Sequence, residues 1–299
     1  MNKKKYLITG ADGQLARAFI AALHQRHIPF EAKNHRQLDI TDFSGLEDYL
    51  RARKPDVVLN CAAYNLVDHA EEEPEKAFQI NSEAARNLAV LCKKYNIFLV
   101  HFSSDYVFDG CKGEPYTEKD APNPVSNYGF SKLEGERAVC GQAGRFLVFR
   151  LSWLFGDGEN NFFAKLEKWA RGEASIKIVQ DEVSSPTYAC DAADVVLKAV
   201  EAGLEGLYHL SNDGYCSRYE LAKYYFQKTG NKVAAVPVPS ETIPVKAKRP
   251  GFSPMSHQLI CEKLGIAMPS WQDAVDRFLD QENISLRKKR GTDDCAHKK

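Results

Sequence analysis

Short apolar runs alternate with longer amphipathic stretches through the first half of the chain. Lys5-Tyr6-Leu7-Ile8-Thr9 reads as a buried strand, followed by glycine punctuation and a helical repeat at Leu15, Phe19, Ile20 and Leu23. Residues 28–31 predict a second strand, and Leu46, Tyr49 and Leu50 a helix that ends before Pro55. Asp56-Val57-Val58-Leu59-Asn60 is read as the next strand, its apolar residues continuous rather than alternating, as in a parallel strand covered on both faces. One long helix is expected from Pro74 to Lys94, with Ala77, Ile80, Ala84, Leu88 and Leu91 facing inward. Strands follow at 97–102 and 146–150, separated by a polar stretch rich in glycine and proline and a helix from about Tyr128. Strands alternating with helices predict βαβ units with right-handed crossovers, hence an α/β fold with a doubly wound parallel sheet of Rossmann type.

After Ser152 the rhythm loosens into short elements, scattered prolines and isolated helices at 191–202 and 217–229. This predicts a smaller substrate lobe interleaved with the end of the sheet. The division is a dinucleotide-binding domain of 1–152 plus about 184–215, a substrate lobe of about 153–183 plus 216–282, and a flexible tail at 283–299. The basic run at the end of that tail reads as a frayed, solvated segment.

Composition removes several classes of function. Forty Lys+Arg balance forty Asp+Glu over 299 residues, so the global basic field of a nucleic-acid or anionic-membrane binder is missing. Mean hydropathy is −0.42, and no apolar run approaches the ~18 residues that span a bilayer. The first residues carry charges but no long apolar core of a signal peptide, so a cytoplasmic protein is expected. The 8 cysteines are scattered without a CxxC pair and are expected to be reduced, small apolar core residues.

Candidate chemistry begins where the first strand meets its helix. In Thr9-Gly10-Ala11-Asp12-Gly13-Gln14-Leu15-Ala16, Gly10 can make a tight turn and Gly13 lets the backbone approach a pyrophosphate at the helix N-terminus. Ala16 stands where a third glycine usually allows close helix–strand packing. Near the second strand, Glu31 favours the ribose 2′-hydroxyl of NAD, whereas Lys33 and Arg36 favour the 2′-phosphate of NADP. The reading tips to NADP, with NAD left open.

Tyr128-Gly129-Phe130-Ser131-Lys132 places a phenol and an ammonium four residues apart, on one helix face. The positive charge is expected to lower the phenol's pKa toward the range of proton transfer. Upstream, Ser103-Ser104-Asp105 follows an apolar run and falls at a strand's carboxyl end, where open α/β sheets bind ligands. A hydroxyl there could hold a carbonyl oxygen that Tyr128 protonates.

With these features in this order the chain resembles the extended short-chain dehydrogenase/reductases, and within them the dTDP-4-dehydrorhamnose reductase family. The resemblance runs through Leu38-Asp39-Ile40-Thr41-Asp42, Asn60-Cys61-Ala62-Ala63-Tyr64 with Val67, Asp68 and Glu71, and the 103–110 run. It continues in Tyr128-Gly-x-Ser-Lys-x-x-Gly-Glu136, Arg150-Leu-Ser-Trp153, Ser185-Pro186-Thr187, Arg249-Pro250 and Trp271. It implies reduction of dTDP-4-dehydro-L-rhamnose to dTDP-L-rhamnose by NAD(P)H, in nucleotide-sugar biosynthesis. By the same resemblance Gly10, Gly13, Gln14 and Leu15 cradle the pyrophosphate, and Asp39 and Ile40 lie along the adenine. Ala62, Ala63 and Tyr64 line the cofactor, and Lys132 holds the nicotinamide ribose. Tyr128 protonates the C4 oxygen, Ser104 orients that carbonyl, and Val67, Asp105, Tyr106 and Trp153 face the sugar. Asp68 and Glu71 are read instead as helix-start carboxylates that cap or face the dipole. The family's homodimers, metal-linked in some members, make a homodimer the expected state; no acidic cluster in the sequence marks a magnesium site.

Departures from the family's pattern leave the sugar open. Ser104 replaces the usual threonine, Asn65 stands where threonine is common, and Asp181-Glu182-Val183-Ser184 departs from Asp-Gln-x-Gly. The alternatives are another nucleotide-linked 4-keto-6-deoxy sugar as substrate, or a non-catalytic NADP-binding regulatory subunit. Retention of Ser104, Tyr128 and Lys132 favours an enzyme.

Overall fold

The computed structural model describes residues 3–158 and 161–281; the basic run at 286–299 and Cys295 lie outside them. Its first half runs β1 (Tyr6–Thr9), α1 (Gln14–Gln25), β2 (Phe30–Lys33), α2 (Phe43–Arg53) and β3 (Val57–Asn60). Then come α3 (Pro74–Phe78), α4 (Ala84–Lys94), β4 (Phe98–Ser104), α5 (Asn127–Gln142) and β5 (Phe146–Leu151). The second half has β6 (Leu154–Phe155), α6 (Phe162–Ala170), β7 (Ser175–Val179), β8 (Val183–Ser184), β9 (Thr187–Tyr188) and α7 (Ala189–Glu201). It continues with β10 (Gly206–Leu210), β11 (Cys216–Ser217), α8 (Arg218–Thr229), β12 (Ala234–Val238) and α9 (Gln258–Leu264), with a further helical run over 271–281.

Among the described residues, six parallel strands form the main sheet in the order β10-β5-β4-β3-β1-β2. This is the α/β doubly wound sheet expected from the alternation. Helices cover both faces. Leu15, Phe19 and Leu23 of α1 pack with Val195, Val196 and Val200 of α7 on one side; Leu46, Leu50, Leu88, Leu91 and Val139 from α2, α4 and α5 cover the other. β1, β3 and β4 are buried at every position on both faces, which explains why their apolar residues do not alternate with exposed polar ones. The chain leaves β1 toward β2 and returns to β3 on β1's other flank, and that reversal opens a crevice at the strands' carboxyl ends.

The structure moves some boundaries. The second strand pairs from Phe30, not from Ile28: His27 turns the chain at φ 51° and Pro29 has no N–H to donate. The helix expected from Pro74 to Lys94 is interrupted by a π turn at Gln79–Glu83, from which Asn81 reaches out of the helix to the backbone of Tyr64. A second, aromatic core of Phe155, Phe163, Tyr225, Phe226, Trp271 and Phe278 supports the smaller lobe. Ile260 of α9 and Met268 join the sheet-side core instead, although the sequence division gives all of 216–282 to the substrate lobe.

The cysteines also need correction. Cys92 and Cys216 are buried and Cys61, Cys190 and Cys261 half-buried, but Cys111 and Cys140 are exposed, one in the loop after Gly110 and one on the outer face of α5. The thiols at all these positions are free. No helix among the described residues is long and apolar enough to cross a membrane.

Candidate active site

The loop after β1 is shaped by close approach. Gly10 has φ +64°, and a Cβ there would lie 2.7 Å from the backbone of Ala62, so only glycine lets β1's turn nest against the end of β3. The Ala11 N–H donates to the Lys33 carbonyl at 3.1 Å, which joins this turn to β2. Gly13 then caps α1 without a side-chain bond, and the helix's first turn carries no acidic residue. No capping side chain or first-turn carboxylate thus competes with an anion for the positive end of the helix dipole. This uncapped helix start beside a glycine turn fits the pyrophosphate of a dinucleotide.

Gly13, Gln14, Leu15 and Ala16 form one wall of a cavity of about 720 Å³. Ala63, Val67, Ser104, Asp105, Tyr106, Tyr128, Lys132 and Trp153 line the same cavity. Gly10 and Ala62 lie just behind this lining, and Tyr64 packs with Tyr106 and Tyr128. Asp39 and Ile40 are not brought to it: the Asp39 carboxylate accepts from the N–H and hydroxyl of Thr41, and Ile40 is buried.

Helix α5 is set firmly. Ser126 accepts from Gly129 N–H at 3.2 Å, and the Glu71 carboxylate takes the Asn127 N–H at 2.8 Å. Glu71 thus caps a helix start, but the distant α5 rather than its own. A Cβ on Gly129 would sit 2.2 Å from the Tyr106 carbonyl, so the glycine lets α5 bring Tyr128 against the end of β4. Asn81 bridges the Tyr64 backbone to the Ser131 hydroxyl, tying the loop after β3 to the same helix.

Tyr128 and Lys132 are both buried on the cavity side of α5. The electrostatics differ from expectation. Burial raises the Tyr128 phenol above its ordinary pKa, the Asp105 and Tyr106 neighbours add to this, and a hydrogen bond with Ser104 opposes it. Lys132 is not among the groups acting on the phenol; its ammonium donates to the Phe102 carbonyl at 2.5 Å. The phenol consequently keeps its proton at neutral pH, as an acid must. Burial pulls Lys132 down to about 8, against the raising influence of Glu136.

That shift has a consequence for stability. Between about pH 8 and the lysine's unfolded value of about 10.4, the unfolded chain binds a proton that the folded chain has released. Stability from this group therefore rises with pH across that window, by about 3 kcal/mol in all. Urea unfolding at pH 7.5 and 9.5 is expected to show a smaller alkaline gain in Lys132→Met than in the wild type. Equal gains would show that Lys132 titrates normally.

Asp105 lines the cavity, yet its carboxylate is held by Ser104 at 3.1 Å, Ser184 at 3.0 Å and Ser253 at 2.7 Å. It joins the end of β4 to the second lobe, and burial raises its pKa. Trp153 lies in the left-handed region at φ 39°, with the Arg218 guanidinium 3.5 Å above its ring centroid. Arg218, Arg249, Lys165 and Glu182 also line the cavity, and sequence reasoning did not single them out as a group. They come from α8, the segment before Gly251, α6 and the turn before β8, so no spacing along the chain could have joined them. Asp68 is not a helix cap: its carboxylate accepts from the Lys246 and Ala247 N–H groups and pairs with Arg249 at 2.8 Å. No group of three or more His, Cys, Asp or Glu among the described residues could hold a metal ion.

Residues 4–284 match the RmlD substrate binding domain family. The chain belongs to that family. RmlD-family relatives include the dTDP-4-dehydrorhamnose reductase of Burkholderia thailandensis, 36% identical over 91% of this chain and 96% of the relative. The dTDP-4-keto-6-deoxy-D-glucose reductase of Streptomyces niveus is 33% identical over 85% of this chain and 88% of its own length. Among solved structures, dTDP-4-dehydrorhamnose reductase from Bacillus anthracis in complex with NADP superposes with a TM-score of 0.90 at 35% identity, covering 93% of this chain and 99% of that one.

Proposed function

We propose that this RmlD-family chain is an NADPH-dependent oxidoreductase that reduces dTDP-4-dehydro-L-rhamnose to dTDP-L-rhamnose. The observation that carries the reading is a single cavity with an uncapped helix start at one wall, Tyr128 and Lys132 within it, and Arg218, Arg249 and Lys165 from the second lobe. NADPH bound against the glycine turn would supply a hydride with its electron pair and leave as NADP⁺. Gly10, Gly13, Gln14 and Leu15 would take its pyrophosphate, Ala62, Ala63 and Tyr64 would flank it, and Lys132 would hold its ribose. Tyr128 donates the phenolic proton to the C4 oxygen as the carbonyl carbon is reduced to an alcohol. Ser104 can reach that oxygen by turning its hydroxyl away from Asp105. The three cations suit the substrate's diphosphate, whose charge they would share in a partly buried site. Val67, Tyr106 and Trp153 would bound the sugar.

Preference for NADPH is supported by the end of β2. Glu31 lies within the strand and is engaged by the Tyr49 hydroxyl at 2.6 Å and Lys5 at 3.1 Å. The strand ends instead at Lys33, with Arg36 exposed three residues on. These cations are placed for a 2′-phosphate rather than a free 2′-hydroxyl. A second reading, another nucleotide-linked 4-keto-6-deoxy sugar as substrate, rests on Glu182, which adds a charge at the cavity wall where the family's pattern has glutamine, 4.0 Å from Arg218. A cytoplasmic site of action and a homodimeric state belong to the same proposal.

The test is the loss of reduced-cofactor absorbance with dTDP-4-dehydro-L-rhamnose and with its C4-keto relatives, each run with NADPH and NADH. Fastest turnover is expected with the rhamnose precursor and NADPH. Tight NADPH binding without turnover on any keto sugar would mark a binding subunit instead.

A further inference from the structure

The loop after β3 lines the cavity through Cys61, Ala63, Asn65 and Val67, and then presents Asp68 to the second lobe. Opposite it, residues 243–249 form an irregular strap whose Ile243, Val245 and Arg249 line the same cavity. The strap has no strand or helix to fix it. One oxygen of Asp68 accepts both the Lys246 N–H at 3.2 Å and the Ala247 N–H at 3.1 Å, and the other accepts from Arg249 Nη2 at 2.8 Å. A neighbouring pair, Lys246 with Glu72, ties the same stretch to the same lobe. Arg249 lies within electrostatic reach of Tyr106, which meets Tyr128 edge-on at 5.4 Å between ring centroids.

We propose that Asp68 is a positioning residue: by holding the 243–249 strap it sets the Arg249 guanidinium in the cavity as a receptor for the diphosphate of the nucleotide sugar. The inference rests on the functional reading above. A free arginine loses rotamer entropy when it engages an anion, and a strap without regular structure loses backbone entropy as well. Asp68 imposes both restraints before the ligand arrives, so its contribution falls on substrate affinity. It touches neither the phenol nor the hydroxyl of Ser104, which leaves the chemical step to those groups. The pair is partly exposed, 38% at the Asp68 side chain and 21% at Arg249, so its effect is moderate.

A plain surface ion pair would leave ligand affinity unmoved, and a carboxylate that merely competes with the diphosphate for Arg249 would weaken binding when present. The three roles therefore give different signs. With dTDP as the probe, calorimetric titration of Asp68→Asn is expected to show a Kd weakened roughly tenfold, with NADPH affinity kept. In turnover the KM for the keto sugar should rise by a similar factor while kcat changes little. Hydrogen exchange at the Lys246 and Ala247 amides should quicken, and Asp68→Ala should move all three readouts in the same direction. Unchanged or tighter dTDP binding by Asp68→Asn would overturn the inference, as would equal losses of dTDP and NADPH affinity. A wild type that does not bind dTDP at all would overturn the functional reading itself, and the receptor role of Arg249 with it.

Discussion

Tyr128→Phe is expected to lower kcat by a factor of about 10²–10⁴ while NADPH binding stays close to the wild-type value. The substitution removes one oxygen from a side chain that is buried and packed edge-on against Tyr106, so the ring and its neighbours need not move. What disappears is the proton for the C4 oxygen. Without it, charge builds on that oxygen in a buried site with no proton to neutralise it, and such charge is costly. Desolvation holds the phenol's pKa up rather than down, and this keeps the donor loaded throughout the neutral range. Stopped-flow loss of reduced-cofactor absorbance, with cofactor affinity measured separately by fluorescence, separates the two effects. A kcat within a few-fold of wild type would remove Tyr128 from the chemical step.

Arg150→Ala is expected to destabilise the fold by about 3–5 kcal/mol, the cost of leaving a buried charge without its partner. Arg150 on β5 grips Glu136 on α5 through two bonds, Nε to Oε2 at 2.9 Å and Nη2 to Oε1 at 2.5 Å. Their side chains are only 4% and 6% exposed, so water cannot take over either charge. The guanidinium also meets His209 Nε2 at 3.2 Å and lies 5.0 Å above the Phe108 ring, while Glu118 accepts the His209 N–H. The network thereby fastens the helix of Tyr128 and Lys132 to two strands of the sheet. Replacing both partners, as Arg150→Met with Glu136→Leu, is expected to recover much of the loss, because an apolar pair carries no desolvation penalty. Urea denaturation of the two variants measures this directly; a loss below about 1 kcal/mol in Arg150→Ala would show that the carboxylate finds another partner or water.

Much of the fold can be read along the chain because its causes are local. Apolar runs at 57–59 and 98–100 declare parallel strands buried on both faces, and the amphipathic repeat from Leu15 to Leu23 declares a covering helix. Glycine at position 10 and the four-residue spacing of Tyr128 and Lys132 are equally local, since one turn or one helix suffices to express them. The two-residue shift of β2 decided more than a boundary. It moved Glu31 from the strand's end into its middle and left Lys33 there, which changes the charge presented to the cofactor's ribose.

Other features exist only once distant segments meet. Spacing alone makes Lys132 an acidifier of Tyr128, but the tertiary structure gives its ammonium to the Phe102 carbonyl and buries the phenol beside Ser104, Asp105 and Tyr106. Asp105 is adjacent to Ser104 in sequence, yet its role is set by serines 79 and 148 residues away. Arg218, Arg249 and Lys165 converge from three separate elements, and Asp68 reaches Arg249 across 181 residues. The sequence by itself determined the layers, the glycine turn and the Tyr-Lys pair, because backbone sterics and side-chain periodicity act over a few residues. Only the tertiary structure decided which charges are buried, which are paired and which cations share a cavity, because Coulomb energy and desolvation depend on distances through space that no interval along the chain encodes.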